Sequence, residues 1–236
     1  MEEDHGGNIT AAAHKYDLKP AEIVDFSANI NFLGPPQSVI KVLQNNLAGV
    51  KNYPDPECRA LKSVLAQQEA VEKENLMIAN GAVELIYLLA KVLNPNTALV
   101  LAPTFSEYRK ALESVGSTVE EFQLRQEEGF KLKVEKLLPR LAEVDIFCLC
   151  NPNNPTGRFL TRREVKEIIE YAVRYDTYIL IDEAFVDFLA EEITVIDLVT
   201  EYNNLFVLRS LTKFFAIPGL RLGYGTANKE LINKLA

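Results

Sequence analysis

Leu205-Phe206-Val207-Leu208-Arg209-Ser210-Leu211-Thr212-Lys213 reads as a short apolar strand, Leu205–Leu208, running directly into a serine and, three residues later, a lysine. Eight residues beyond that lysine stands Arg221, inside Gly219-Leu220-Arg221-Leu222-Gly223. A lysine at a strand end can form a Schiff base where its surroundings lower its pKa. A serine before it and an arginine after it can take a phosphate from two sides. Taken alone, a lysine behind a strand is usually a surface lysine. The combined spacing of serine, lysine and arginine is what makes the segment specific.

Working outward, short apolar runs alternate with amphipathic ones. Strands are expected at Leu76–Asn80, Ala98–Ala102, Thr118–Leu124, Asp145–Cys150 and Tyr178–Ile181, and helices at Val83–Leu93, Glu107–Val115, Val134–Ala142 and Arg162–Tyr175. Thr161 and Glu164 have the spacing of a capping box at the start of the last helix. The alternation predicts an α/β fold with a mostly parallel central sheet flanked by helices, in which ligands sit at the C-terminal ends of strands. The N-terminal residues differ. Helix candidates at Ile9–Tyr16, Ser38–Leu47 and Glu57–Gln68 flank loops rich in Asn, Gly and Pro. We therefore read residues 1–50 as an N-terminal arm or subdomain and residues 51–236 as the ligand-binding large domain.

Four further segments fall at strand ends. Asp182, in Ile181-Asp182-Glu183-Ala184-Phe185, is either a carboxylate aimed across the strand ends or a helix N-cap. Asn151-Pro152-Asn153-Asn154-Pro155-Thr156-Gly157 has two Asn-Pro steps that impose an extended loop; Asn154 could donate from its amide, or the segment could be a turn without a ligand. Gly81-Ala82-Val83 stands at a strand-to-helix junction, where free N–H groups bind phosphate, although one glycine is a weak signal. Phe105, in Pro103-Thr104-Phe105, could stack on a flat ring or be ordinary core.

The 236 residues are 48% hydrophobic and 25% charged, with net charge −8 and pI about 5.0. That balance argues for a globular chain with no basic stripe for nucleic acid. No apolar run approaches the ~20 residues of a membrane span, and no signal peptide is visible. Cys58, Cys148 and Cys150 do not form a disulfide framework. Cys148 and Cys150 share one face of a strand and read as buried thiols, without the partners a metal site needs. A cytoplasmic location, with no metal and no membrane, is expected.

These motifs resemble those of the fold-type I pyridoxal-phosphate (PLP) enzymes of the aspartate aminotransferase superfamily. Within it, His5-Gly6-Gly7-Asn8, Asp25-Phe26-Ser27-Ala28-Asn29-Ile30-Asn31, Tyr53-Pro54-Asp55, Asn151–Gly157, Asp182–Phe185 and Arg209–Gly223 resemble the threonine-phosphate decarboxylases, whose close relatives are the histidinol-phosphate aminotransferases. The resemblance implies PLP on Lys213, with Asp182 at the pyridine nitrogen, Asn154 at the ring hydroxyl and Phe105 on the ring face. Ser210, Thr212, Arg221, Gly81 and the amides of Ala82 and Val83 would hold the cofactor phosphate. Tyr53 would reach the phosphate of a neighbouring subunit, making the protein a homodimer. His5, Gly6, Asn29, Asn31 and Asn154 would line the site of a small phosphorylated amino acid. Phe185 stands where many aminotransferases carry a tyrosine, which favours the decarboxylase.

The implied reaction is decarboxylation of L-threonine O-3-phosphate to 1-amino-2-propanol O-phosphate for cobalamin biosynthesis. The alternatives are a histidinol-phosphate or other class I/II aminotransferase, and a truncated, non-catalytic PLP-binding domain. Members of the family carry a further small C-terminal domain of about 100 residues. These 236 residues stop inside an apparent helix, so the small domain and its carboxylate-binding arginine are expected to be missing, and the chain as it stands to bind PLP weakly and not to turn over.

Overall fold

The computed structural model describes residues 6–236. Helices α1 (Ile9–Tyr16), α2 (Gln37–Asn46) and α3 (Arg59–Glu69) come first. Then follow β1 (Leu76–Ala79), α4 (Ala82–Leu93), β2 (Thr97–Ala102), α5 (Glu107–Ser114), β3 (Thr118–Gln123), α6 (Val134–Leu141), β4 (Ile146–Cys150), α7 (Arg162–Val173) and β5 (Tyr178–Asp182). The chain continues through β6 (Leu205–Ser210), α8 (Leu211–Phe214), β7 (Gly223–Ala227) and α9 (Lys229–Leu235). The expected strands and helices are all present, with ends shifted by a few residues. The capping box of α7 forms as well: Thr161 N–H donates to Glu164 Oε2 at 2.8 Å, and Glu164 N–H to Thr161 Oγ1 at 3.4 Å.

Side-chain alternation along the central strands produces the layering. Leu99, Leu101, Phe147, Leu149, Ile179, Ile181, Leu205 and Val207 face one way and pack with Leu137 and Leu141 of α6 and Val165, Ile168 and Ile169 of α7. Ala98, Val100, Ile146, Cys148, Cys150, Leu180, Phe206 and Leu208 face the other way, toward Leu85, Ile86 and Leu89 of α4, Tyr108 and Leu112 of α5, and Leu231 and Ile232 of α9. Cys148 and Cys150 thus share a face, and both are buried. β3, at one end of the sheet, is largely exposed, and its glutamates pair with basic helix residues: Glu121 with Arg109 at 2.7 Å, and Glu120 with Arg140. Charge on an edge strand discourages pairing with another chain.

The described strands form one seven-stranded sheet in the order β1-β7-β6-β5-β4-β2-β3. The four pairings from β6 to β3 are parallel, while β7 runs antiparallel to both β1 and β6. β7 is absent from the sequence expectation because Gly-Tyr-Gly-Thr-Ala lacks an apolar strand pattern. Its glycines answer to packing instead. A Cβ on Gly225 would lie 2.2 Å from the Phe206 ring, so that glycine makes room for the ring of the neighbouring strand. Because β7 is reversed, its N-terminal end, just after Arg221, lies at the same sheet edge as the C-terminal ends of β1, β4, β5 and β6. No described helix is long and apolar enough to cross a membrane.

Candidate active site

Register brings the central groups together. Cys150 pairs with Asp182 across β4 and β5, and Asp182 pairs with Leu208 across β5 and β6. Asp182 is buried, and its side chain meets α5: the Tyr108 hydroxyl donates to Oδ2 at 2.6 Å, and the Ala184 N–H donates to Oδ1 at 2.9 Å. Burial pushes the Asp182 carboxyl up, while the Tyr108 hydroxyl, the Ala184 amide and the Lys213 ammonium each pull it back down. Burial, with the neighbouring carboxylate, pushes Tyr108 well up, so the phenol keeps its proton and remains a donor. The same two causes push the Cys150 thiol up to about 12.

β6 leads into the short helix α8, which carries Lys213. Burial lowers the Lys213 pKa, the Arg221 cation lowers it further, and Asp182 opposes both. The effect favours the neutral, nucleophilic amine. At the other end of the cavity, α4 starts after Gly81, whose φ of 93° suits glycine, and has no side-chain cap. The N–H groups of Ala82 and Val83, in the first turn, have no intrahelical acceptor. Ser210 Oγ and Thr212 Oγ1 lie 2.9 Å apart, and both residues are buried. Arg221 lies against Gly81, where a Cβ would come within 2.6 Å of its Nη2. Gly223 is equally constrained, since a Cβ there would sit 2.6 Å from the Ala82 nitrogen.

The Asn-Pro loop is held by its other asparagines. Asn151 exchanges hydrogen bonds with the Leu160 backbone at 2.7 and 3.1 Å. Asn153 accepts from Thr104 Oγ1 at 2.7 Å and donates to the Pro103 carbonyl at 3.1 Å. Asn154 is thereby left to face the site. Phe105 packs edge-on against Tyr108, with ring centroids 5.6 Å apart.

Lys213, Asp182, Asn154, Phe105, Gly81, Ala82, Val83, Ser210, Thr212 and Arg221 all line one inner cavity of about 90 Å3, together with Tyr108, Cys150 and Phe185. It adjoins an outer cavity of about 650 Å3, which Gly6, Ser27, Asn29 and Asn154 help to line. Asn31 lines neither: its side chain donates to the Phe214 carbonyl at 2.9 Å and accepts from Leu33 N–H at 3.1 Å. Tyr53 is fully exposed and lines neither. His5 lies outside the described residues. Tyr108 is absent from the sequence reading, and Cys150 appears there only as a buried thiol of a core strand, not as part of the site. The available signal for Tyr108 was a tyrosine on the buried face of α5, three residues after Phe105; for Cys150 it was its parity with the strand face that ends in Asp182. A separate cavity of about 320 Å3, along the Asn151–Leu160 loop, contains neither Lys213 nor Asp182.

Residues 21–236 match the family described as aminotransferase class I and II. The chain belongs to this family. It is a family of catalytic, PLP-dependent enzymes. The chain is 39% identical over 220 residues to threonine-phosphate decarboxylase of Salmonella typhimurium, an alignment spanning 93% of this chain and 60% of that protein. Among solved structures, it is similar to histidinol-phosphate aminotransferase from Clostridium acetobutylicum, with TM-score 0.81 and 30% identity over 90% of this chain and 63% of that one. It is also similar to L-threonine-O-3-phosphate decarboxylase from Porphyromonas gingivalis, with TM-score 0.80 and 29% identity over 90% of this chain and 62% of that one. The chain therefore spans about three fifths of the length of these three relatives.

Proposed function

We propose that the inner cavity binds PLP and that the whole protein acts at the α-carbon of a small phosphorylated amine or amino acid. The observation that carries this reading is the meeting of Lys213, Asp182 and Arg221 in one cavity. The residues fit the cofactor. Ser210, Thr212, Arg221 and the free amides of α4 form a donor set suited to a phosphate dianion, and Gly81 and Gly223, lacking a Cβ, let the Arg221 guanidinium and the start of α4 pack closely at that end of the cavity. At the other end, Asp182 suits a protonated ring nitrogen, and Phe105 offers an aromatic face. When bound, the cofactor supplies an electron sink for the pair left at the α-carbon when a bond there breaks. Lys213 holds the cofactor covalently and moves protons at the α-carbon. Asp182 keeps the ring nitrogen protonated, and Tyr108 and the Ala184 amide hold Asp182 in its charged form.

Two finer readings divide on which bond at the α-carbon breaks. The protein can set that choice by orienting one bond perpendicular to the cofactor ring. Decarboxylation of L-threonine O-3-phosphate, as in cobalamin synthesis, is supported by Phe185, by the Asp25–Asn31 segment and by the Salmonella relative. Amino transfer from histidinol phosphate is supported by the family description and the Clostridium structure. The exposed apolar side chains Val24, Phe26, Phe32, Leu33 and Tyr53 support a homodimer in which Tyr53 serves the partner's site.

Borohydride reduction of the PLP-loaded protein, followed by peptide mass analysis, is expected to fix the cofactor on Lys213, and Lys213→Ala is expected to lose both that mass and the cofactor's absorption band. A band unchanged in Lys213→Ala would overturn the cofactor assignment. Carbon dioxide release from threonine phosphate without a keto acid would select the decarboxylase. Keto-acid-dependent consumption of histidinol phosphate would select the aminotransferase.

A further inference from the structure

We infer that Asn29 is a positioning residue: it orients the side-chain amide of Asn154 so that Nδ2, not Oδ1, is presented to the inner cavity. The inference rests on the reading that this cavity holds the pyridoxal cofactor. An asparagine amide accepts at one corner and donates at the other, and a flip exchanges the two. Asn154 lines both cavities, and its Oδ1 accepts a hydrogen bond from Asn29 Nδ2 at 3.2 Å. That contact engages the acceptor corner and leaves the donor corner free for a ring oxygen.

The donor matters because its neighbours cannot replace it. Phe185 lines the same cavity without a hydroxyl. The Tyr108 hydroxyl is committed to Asp182 at 2.6 Å. Ser210 and Thr212 are hydrogen-bonded to each other at 2.9 Å, next to Arg221 at the phosphate end.

Asn29 is itself held in place. Asp25 Oδ1 accepts from both the N–H and the hydroxyl of Ser27, at 2.7 and 2.6 Å, and Ser27 Oγ accepts from Gly7 N–H at 2.8 Å. A Cβ on Gly6 would fall 1.9 Å from the Ser27 carbonyl oxygen, so the segment packs this closely only against glycine. Two residues beyond Asn29, the Asn31 N–H donates to the carbonyl of Lys213 at 3.1 Å and Asn31 Nδ2 to that of Phe214 at 2.9 Å. The segment therefore spans from the backbone of the lysine to the side chain of Asn154, and sets the two in register.

The test reads the pH dependence of the bound cofactor's absorption band. A donor at the ring oxygen stabilises its anion and lowers the pKa of the proton shared between that oxygen and the Lys213 nitrogen. In Asn29→Asp, the residue can only accept, so Asn154 turns its Nδ2 outward and presents Oδ1 to the ring. The band's pKa is expected to rise by about 1 unit. The added negative charge also raises it, and a double-mutant cycle separates the two effects. Asp182, Lys213 and Arg221, the charged groups lining the cavity, are the same in every variant. In an Asn154→Ala background only the charge effect remains, and Asn29→Asp is expected to shift the pKa by about 0.3 unit or less. Equal shifts in both backgrounds, or no shift in either, would overturn the positioning role. Absence of any Lys213-dependent band or borohydride-fixed mass would overturn the cofactor reading, and this inference with it. Asn29 is exposed, so the fold does not depend on it.

Discussion

At the scale of single residues, the site holds charge that the fold itself disfavours. Asp182 is buried, and desolvation is the largest influence on it, raising its pKa above the ordinary carboxylate value of 3.8 despite three opposing interactions. In the folded chain its carboxyl therefore binds a proton more readily than in the unfolded chain. The stability that follows from this is fully present below pH 3.8 and is lost as pH rises through the folded-state value. Asp182→Asn is thus expected to stabilise the cofactor-free protein at pH 7 but not at pH 4, as measured by urea denaturation at both values. The same change is expected to weaken catalysis by at least the 10²-fold typical of a lost proton-handling group, because the amide cannot keep the ring nitrogen protonated. Equal stability at both pH values would show that the carboxylate is already fully compensated by Tyr108 and Ala184.

At the scale of elements, the site depends on the junction of β1 with α4 and on the turn that brings Arg221 beside it. Gly81 is needed there twice: for its positive φ, and for the space its missing side chain leaves to the Arg221 guanidinium. Gly81→Ala is expected to destabilise the fold by about 1 kcal/mol or more from backbone strain. By displacing Arg221, it is also expected to weaken PLP binding roughly tenfold, about 1.4 kcal/mol. Thr161→Ala, at the α7 capping box far along the chain from these groups, offers the contrast: about 1 kcal/mol of stability lost, with PLP affinity unchanged. Cofactor titration by fluorescence, alongside thermal denaturation, reads both. Unaltered PLP affinity in Gly81→Ala would remove Arg221 from the phosphate site.

At the scale of the whole molecule, the face of the sheet opposite the inner cavity is tied by a buried ionic network. Arg209 on β6 lies 3.3 Å from Glu183, which follows β5, and 3.6 Å from both Glu69 of α3 and Asp187. Tyr224 of β7 donates to Glu69 at 2.6 Å. Glu183 also accepts from Thr194 Oγ1 and Val195 N–H, at 2.7 and 2.8 Å. Because side chains alternate, Arg209 and Glu183 point away from the inner cavity while their chain neighbours Ser210 and Asp182 line it, so the network registers the strands that carry the candidate site. Arg209→Met is expected to cost about 3–5 kcal/mol, mostly by leaving buried carboxylates unpaired. Burial already raises the Glu183 pKa, and Arg209 opposes the rise. Without Arg209 the folded-state value climbs further, so the deficit should be larger at pH 8 than at pH 5. Arg209→Met combined with Glu183→Gln should recover part of it. A deficit independent of pH would mean that lost packing, not unpaired charge, is responsible.

Much of this protein is legible in one dimension because its signals are local. Apolar periodicity and the Thr161–Glu164 cap mark the helices and parallel strands. The residue types at Lys213, Asp182, Asn154 and Arg221 announce themselves by chemistry and by their position after apolar runs. Tertiary structure alone decides the rest. β7 carries glycines where a strand pattern would carry apolar side chains, because its neighbours' side chains and backbone occupy that volume; its reversed direction is a property of the whole sheet. Tyr108 becomes part of the site only when α5 packs on the sheet and its hydroxyl reaches Asp182, since no sequence spacing relates residues 108 and 182. Asn29 meets Asn154, and Asn31 meets the backbone of Lys213, across separations of 125 and about 180 residues. Contacts of that range are made by packing, and no local periodicity encodes them.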